Sequence, residues 1–273
     1  MGLLAGCSAV RLGYDSLPSF TYWWADGYVD FGEAQSLRIR QDLAELQAWH
    51  RHQELPQVLA WLKQAEALAA QQDVDPAQVC ALVPPLSGRL EALRQQLGPP
   101  LMRLGRSLRP EQILRLTRKY VDNEARYRQE WVDLSPADLQ DKRTRELGDR
   151  LEKLYGRLQD DQRQTLSATL RASRYQPALS LQEHHRRHED ILATLRDLQQ
   201  APPAAAQALW EALSQRMLVS PDPAYRQQLQ DLVDEHCSVV AAVQRQSTAE
   251  QRANAVQRLQ GWQRDVQALM AEP

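Results

Sequence analysis

The stretch STAEQRANAVQRLQGWQRDVQAL, residues 247–269, indicates how this chain folds. Thr248 is a residue type that caps the free backbone N–H groups at a helix start. Gln251 stands three residues later, where a Gln or Glu side chain bonds back to the cap. The apolar residues that follow recur at steps of three and four, namely Val256, Leu259, Trp262, Val266 and Leu269. This spacing predicts a helix with one apolar face packed against a core.

The same helix-start pattern recurs along the chain. It is found at FGEAQ (31–35), VDPAQ (74–78), LRPEQ (108–112), LSPAD (134–138) and LQDDQ (158–162). Proline fits the first helical position because its missing N–H has no partner there in any helix. The intervals between the patterns are irregular, which excludes a solenoid of fixed repeats. Helix capping explains each occurrence.

The chain is therefore expected to be all-α, a multi-helix bundle of about ten helices formed by residues 31–273 as a single helical domain. No stretch alternates as a β-strand does. We expect Pro84-Pro85 to kink or split the third helix, and Gly98-Pro99-Pro100 and Ala201-Pro202-Pro203 to connect helices. The predicted helices span 33–53, 57–71, 76–97, 110–132, 136–155, 160–173, 181–199, 203–217, 223–246 and 248–270.

Composition limits the classes of function. The 273 residues are 43% apolar and 25% charged, with a formal net charge of −2, so no basic surplus suggests a nucleic-acid partner. No run of 18 apolar residues predicts a membrane-spanning helix. Phosphate-binding glycine loops, nucleophile elbows and Cys-x-x-Cys pairs are absent from the sequence. We therefore expect no enzyme and no cofactor.

The opening MGLLAGCSAV, with Leu4-Ala5-Gly6-Cys7, resembles the lipobox of bacterial lipoproteins. Only six residues precede Cys7, too few for a secretory signal, so we expect the sequence to begin inside a longer one. By this resemblance residues 1–7 end the signal, and Cys7 carries a lipid that anchors the protein to a membrane. Ser8 does not favour inner-membrane retention, which predicts an outer membrane lipoprotein facing the periplasm. The alternative is that Met1 is the true start and Cys7 an ordinary thiol.

Cys80 and Cys237 are the two cysteines that remain once Cys7 is acylated. In an oxidising periplasm they are expected to form a disulfide. Such a bridge, closing a loop across 157 positions (237 − 80), contributes up to about 5 kcal/mol in the chain-entropy model. The alternative is two buried free thiols that pack as small apolar side chains.

Residues 8–30 are interpreted as an N-terminal arm rich in aromatic side chains, because YWWADGYVDF (22–31) holds five of them. Trp23, Trp24 and Tyr28 are expected to bury against the helical body. The alternative is a membrane interface, where tryptophan is common. The aspartates of the arm argue against the membrane, since its surface is often anionic.

EHHRRHEDI (183–191) is the one histidine cluster. On a helix His184 and His188 share a face at i, i+4, as metal ligands can, and His236 is a candidate third ligand. His-Glu-x-x-His is not completed, because residue 185 is histidine. We interpret the cluster as a solvated charged face, and we expect no metal.

Two resemblances follow from these motifs. LRPEQ and STAEQ resemble the Leu-Thr-x-x-Gln motif of Spy-type periplasmic chaperones, but Arg109 and Gln159 stand where threonine is expected. LAGCSAVRLGYD, YWWADGYVDF, VCAL, LYGRL and STAEQRANAVQRLQGWQRDVQAL resemble a family of proteobacterial helical lipoproteins of unknown function. A binding or scaffold protein acting on another envelope protein is expected. A chaperone-like holder of unfolded periplasmic chains is the alternative, and a metal-dependent enzyme is less favoured.

Overall fold

The computed structural model describes residues 9–272, which form twelve α-helical segments and no strand. This confirms the predicted all-α fold. Two π-helical segments, His50–Glu54 and Arg128–Val132, continue α2 into α3 and extend α6. The helices are α1 (Ala9–Val29), α2 (Glu33–Trp49), α3 (Leu55–Ala69), α4 (Pro76–Cys80), α5 (Val83–Ser107), α6 (Pro110–Tyr127), α7 (Pro136–Tyr155), α8 (Asp160–Arg171), α9 (Pro177–Gln200), α10 (Pro203–Leu218), α11 (Pro223–Arg245) and α12 (Ala249–Ala271).

Glutamine side chains cap five of the helix starts. In each, the backbone N–H of the cap residue donates to the Oε1 atom of the glutamine three positions later. The pairs are Gly32–Gln35, Asp75–Gln78, Arg109–Gln112, Gln159–Gln162 and Thr248–Gln251, with donor–acceptor distances of 2.8 to 3.0 Å. The short recurring pattern in the sequence is thus a set of helix N-termini.

Four of these glutamines also pair with one another across the bundle. Gln35 and Gln112 exchange side-chain hydrogen bonds of 3.2 and 2.7 Å, which join the start of α2 to the start of α6. Gln162 and Gln251 exchange bonds of 3.0 and 2.9 Å between the starts of α8 and α12. The same device therefore holds two pairs of helix ends together.

The largest core cluster lies among α3, α7, α8, α11 and α12. The apolar stripe predicted for residues 247–269 is part of it, since Leu259, Val266 and Leu269 are buried. Val239 and Val243 of α11 have no exposed surface at all. Burial of side chains of this size supplies most of the free energy that holds the bundle together.

Cys80 and Cys237 form a disulfide that joins the short helix α4 to α11, with their Cα atoms 5.4 Å apart. The turn after α4 is also held from α3, because Trp61 Nε1 donates to the carbonyl of Leu82 at 2.9 Å. Pro84 and Pro85 follow at the first turn of α5, where proline needs no N–H partner. The chain is thus split before these prolines, as the sequence predicted.

The predicted connection at Gly98-Pro99-Pro100 is wrong, because α5 continues through these residues to Ser107. Each proline lacks the backbone N–H that a helix interior requires, and this loss ordinarily breaks the helix. Here leucines on both sides of the prolines pack against α9 and α10, and this tertiary contact outweighs the local cost. The connection at residues 201–202 is present as predicted, between α9 and α10.

The segment interpreted from the sequence as an N-terminal arm forms a helix, α1. It packs against α2, α6 and α12. Tyr22 is buried, donates to Ser36 Oγ at 2.9 Å and lies under the guanidinium of Arg40. The expectation that Trp23 and Trp24 are buried is wrong, since they are 64% and 59% exposed. Among residues 9–272, none of the helices combines the length and the apolar character needed to span a bilayer.

Candidate functional site

An apolar groove between α1, α5, α6, α9 and α10 is the candidate site for an apolar ligand. One wall is a row of leucines on α5 at steps of three and four, which places them on one face. They are Leu90, Leu93, Leu97, Leu101 and Leu104. Leu90 and Leu101 are partly open to solvent, at 55% and 38% exposure, so the row is reachable from outside.

The facing wall comes from α9 and α10, and two glycines of α5 allow it to approach closely. A Cβ atom at Gly98 would lie 2.8 Å from Trp210 Nε1, and one at Gly105 would lie 2.9 Å from Leu195 Cδ2. Both distances are shorter than side chains tolerate. The glycines therefore let Trp210 and Leu195 pack directly on the backbone of α5.

Aromatic side chains of α1 and α6 close the third side. The rings of Trp24 and Tyr28 pack against each other at a tilt of 47° with their centroids 4.8 Å apart, and Tyr28 Oη accepts a hydrogen bond of 2.8 Å from Asn123. Tyr120 lies deeper, where burial and then the neighbouring Tyr28 raise its pKa to about 12. These rings present apolar faces to the groove, and the hydroxyl group of Tyr120 stays neutral at ordinary pH.

Charge is nearly absent from the groove. Arg94 is the one charged residue in its described lining, and it is neutralised at the rim. Its guanidinium donates to Glu91 at 2.6 Å, to Glu211 at 2.9 Å and to Ser214 at 2.8 Å. Hydrogen bonds from Arg94 and Gln95 lower the pKa of Glu91 to about 2, so the ion pair persists across ordinary pH.

The groove has a cavity volume of about 540 Å³, within the range of small-molecule sites in proteins. Its walls are apolar and aromatic, and the polar groups of Arg94, Ser214 and Tyr28 already hold hydrogen bonds. Such a site can shelter an apolar ligand from water, and it offers few donors or acceptors to an extended peptide backbone. It also presents no acid, base or nucleophile aimed at a shared point.

A family described as a family of unknown function (DUF6279) matches residues 27–226. This span is 226 − 27 + 1 = 200 of the 273 residues. The chain belongs to this family. Neither a curated protein nor a solved structure matches the chain.

The DUF6279 match includes all of α5, α6, α9 and α10 and therefore nearly all of the groove lining. Trp24 and Ala25 of α1 lie just before it, and α12 lies beyond it. Cys80 is inside the matched region and Cys237 outside it. The groove thus belongs to the part that this chain shares with its family.

The histidine cluster does not form a metal site in the structure. His188 Nδ1 lies 2.5 Å from Glu124 Oε1 and its ring stacks on Tyr120 at 3.9 Å, whereas His184 meets the edge of Tyr127 at 4.5 Å. His184 also borders a second cavity that His236 lines. In residues 9–272 no three His, Cys, Asp or Glu side chains come together as ligands for a metal ion.

The interpretation of residues 183–191 as a solvated face is wrong for Glu183, whose side chain is 1% exposed. Burial alone raises the pKa of this carboxyl, but hydrogen bonds from Arg186, Arg187 and Ser220 outweigh it and hold the pKa at about 2. These donors lie 2.7 to 2.9 Å from the carboxylate oxygens. The group joins α9 to the residues between α10 and α11.

The second cavity, of about 270 Å³, is polar and aromatic. The hydroxyl groups of Tyr127 and Tyr175 lie 2.7 Å apart, and burial together with this bond raises the pKa of Tyr127. Arg143 donates to Ser173 at 2.7 Å and to Glu235 at 2.6 Å. These hydrogen bonds join α6, α7 and α11 to the connection between α8 and α9.

Sequence reasoning missed the groove, although a signal for it was present. The leucines of α5 keep helical spacing from Leu90 to Leu104, but a predicted break at residues 98–100 divided the row. The residue with the sharpest functional prediction, Cys7, lies outside the described residues. Its role rests on the sequence motif alone.

Proposed function

We propose that this chain is a lipid-anchored, non-enzymatic binding protein of the bacterial cell envelope, whose apolar groove holds the acyl chain of a lipid-class ligand. The groove is the observation that carries the proposal. It is apolar, partly open to solvent and of ligand size, and it lies in the region that matches the family.

An acyl chain fits this groove better than an extended peptide does. A peptide backbone that leaves water needs hydrogen-bond partners, and losing them costs several kcal/mol per group. Among the polar side chains at the groove, Arg94 already donates to Ser214 and to two carboxylates, and Tyr28 already accepts a hydrogen bond from Asn123. An acyl chain brings no polar group along its length and needs none from the walls.

Two observations support the envelope assignment. The motif Leu4-Ala5-Gly6-Cys7 resembles a lipobox, which would attach the protein to the outer membrane with the body in the periplasm. The Cys80–Cys237 disulfide is a bond that persists in oxidising compartments and is rare in reducing ones. Anchoring also places a protein that binds acyl chains where lipids are concentrated. The proteobacterial origin suggested by the sequence motifs belongs to the same proposal.

The anchor is tested in a bacterial host that carries the gene with its upstream coding sequence. We expect labelled palmitate to enter the wild-type protein and to be lost from the Cys7→Ser variant, because no other residue carries the lipid. Equal labelling of both proteins, or of neither, contradicts anchoring at Cys7. Cys7→Ser leaves the disulfide intact, so the same variant serves as soluble protein for binding measurements.

The groove is tested by titrating the Cys7→Ser protein with the fluorescent fatty acid cis-parinaric acid, with palmitate as competitor. Leu90→Gln and Leu101→Gln remove apolar surface from the rim at partly exposed positions, where the fold tolerates polar side chains. We expect each to weaken binding about tenfold, since one leucine contact is worth about 1.5 kcal/mol or more. Leu114→Gln is the matched control, because Leu114 is 51% exposed and lies outside the groove.

The alternative occupant is an apolar segment of an unfolded periplasmic protein, as in a chaperone-like holder. Open apolar surface favours this function too. Suppression of aggregation of a reduced client protein by the Cys7→Ser variant distinguishes the two. The groove binds a polypeptide and not an acyl chain if the protein suppresses aggregation, if Leu90→Gln and Leu101→Gln abolish this suppression, and if no fatty acid binds. Fatty-acid binding that neither substitution alters contradicts the groove as the site.

A further inference from the structure

One exposed face of α1 is apolar and carries no charged residue. At 100° per residue this face groups the exposed Val10, Leu12, Leu17, Phe20, Trp23 and Trp24, with Gly and Ser residues and Tyr28 among them. Phe20 is 70% exposed and Trp23 is 64% exposed. A helix on a globular surface normally turns charged residues to water. Apolar faces of this kind mark a surface that another body covers.

The charged residues of α1 lie beyond the edges of this face, and its two aspartates have partners within the protein. Asp15 pairs with Arg51 at 3.1 Å, and Asp26 Oδ1 accepts a hydrogen bond of 2.8 Å from the backbone N–H of Phe31. Just after the helix, Asp30 lies 3.5 Å from Arg115. The acidic side chains that argued against a membrane therefore lie outside the apolar face and have partners within the protein, and those of Asp15 and Asp30 are 49% and 72% exposed.

The residues of the face are those that proteins place at a bilayer surface. Tryptophan and other aromatic side chains are enriched at membrane–water interfaces, and an apolar helix face can lie in the plane of the interface. The position along the chain agrees, because α1 begins at Ala9, two residues after the proposed anchor Cys7. Trp24 belongs both to this face and to the lining of the apolar groove.

We propose that the exposed face of α1 lies on the phospholipid bilayer and turns the mouth of the apolar groove toward it. The inference rests on the proposed anchor at Cys7 and adds an orientation to the proposed function. A helix face inserted beside the lipid anchor contributes a second contact with the bilayer. Trp24 would then stand where an acyl chain passes from the bilayer into the groove.

The orientation is tested with the full chain tethered to vesicles at Cys7. Because Cys80 and Cys237 are bonded to each other, Cys7 is the one remaining cysteine of three and reacts alone with a maleimide-bearing lipid. The vesicles contain phosphatidylcholine and phosphatidylglycerol, with or without brominated acyl chains, which quench indoles at the depth of the bromine. We expect bromine to quench the fluorescence of Trp23 and Trp24 and to leave the fluorescence of the other five tryptophans unchanged.

Two matched variants show whether the quenched tryptophans belong to this face of α1 or to another part of the molecule. Trp23→Ser with Trp24→Ser is expected to abolish the quenching, whereas Trp131→Phe, in the second cavity, is expected to retain it. Quenching that is absent in the wild type, or that survives loss of Trp23 and Trp24, overturns the proposal. The chemical tether replaces the cellular lipid, so this outcome is independent of palmitate labelling and of fatty-acid binding.

The apolar face of α1 could also be covered by a second copy of the chain in a dimer. Sedimentation velocity of the Cys7→Ser protein over a range of concentrations tests this occupant without lipid. A stable dimer that Trp23→Ser with Trp24→Ser converts to a monomer overturns the membrane assignment in favour of self-association. A monomer at all concentrations, together with bromine quenching on vesicles, supports the bilayer.

Discussion

Gln162 and Gln251 hydrogen-bond each other through both side-chain amides while each also caps its own helix. Gln162 has no exposed surface and Gln251 is 4% exposed, so neither amide can turn to water instead. A buried polar group is expensive to leave unpaired but costs little when every partner is present. This pair therefore sets the relative position of α8 and α12 with little tolerance.

Replacing Gln251 with Ala is expected to destabilise the protein by about 1–3 kcal/mol, because it leaves the amide of Gln162 buried and without its partner. Chemical denaturation of the Cys7→Ser background measures the free energy of unfolding. Gln96→Ala, on the exposed side of α5, is the control and is expected to change it by less than about 0.5 kcal/mol. Equal effects of the two substitutions would mean that the pair adds nothing beyond helix propensity.

Two glycines of α5 are expected to respond in opposite directions to alanine. Gly98→Ala places a methyl group 2.8 Å from Trp210 Nε1 and is expected to cost about 1–3 kcal/mol through overpacking. Gly88→Ala meets nothing within 4 Å and is expected to gain about 0.5–1 kcal/mol, since alanine suits a helix interior. Thermal melts of both variants check this. A stabilised Gly98→Ala variant would show that α10 does not pack on α5 at this point.

Glu183 is expected to make stability depend on acid. Its carboxyl pKa of about 2 lies below the ordinary 4.5, so below 4.5 the unfolded state binds a proton that the folded state does not. The stability that Glu183 contributes is thus complete above pH 4.5 and is lost as the pH falls toward 2. The melting temperature of wild type minus that of Glu183→Gln is expected to be positive at pH 7 and to shrink over this window. Glu189→Gln, whose side chain is 68% exposed, is the control on the same helix, and a difference that stays constant with pH refutes the assignment.

The Cys80–Cys237 disulfide is expected to contribute up to about 5 kcal/mol, because it closes a long loop in the unfolded chain. Cys80→Ala with Cys237→Ala is expected to melt at a lower temperature than wild type, and reductant is expected to bring wild type to the same value. Cys7→Ser is expected to melt as wild type does, with or without reductant. A reductant-insensitive melt of the wild type would show that the bond adds no stability.

Local sequence signals predicted the helix starts but could not predict how helices are arranged. Caps such as Asp75 and Thr248 act within four residues of chain, so their spacing is enough to place a helix start. The pairing of Gln162 with Gln251 depends on two segments 89 residues apart, and only the packed bundle brings them together. The same holds for the groove, whose walls come from five helices.

The errors in the sequence predictions have a common cause in tertiary contacts. Pro99 and Pro100 ordinarily end a helix, yet leucines on both sides of them hold α5 continuous. Aromatic density in residues 22–31 predicted burial, but only part of the segment finds a partner in the body. Glu183 has the sequence context of a solvated charge, and its burial depends on Ser220, which is 37 positions away along the chain. These outcomes depend on contacts with residues far away along the chain, which a local sequence pattern cannot predict.

The disulfide also determines how the molecule would carry mechanical load. The 156 residues between Cys80 and Cys237 include α5, α6, α9 and α10, and hence most of the groove. Tension between the two ends of the chain would pass from Cys80 to Cys237 through the sulfur atoms and bypass everything between them. A protein held at one end by a membrane and pulled at the other would therefore keep these four helices of its groove unloaded.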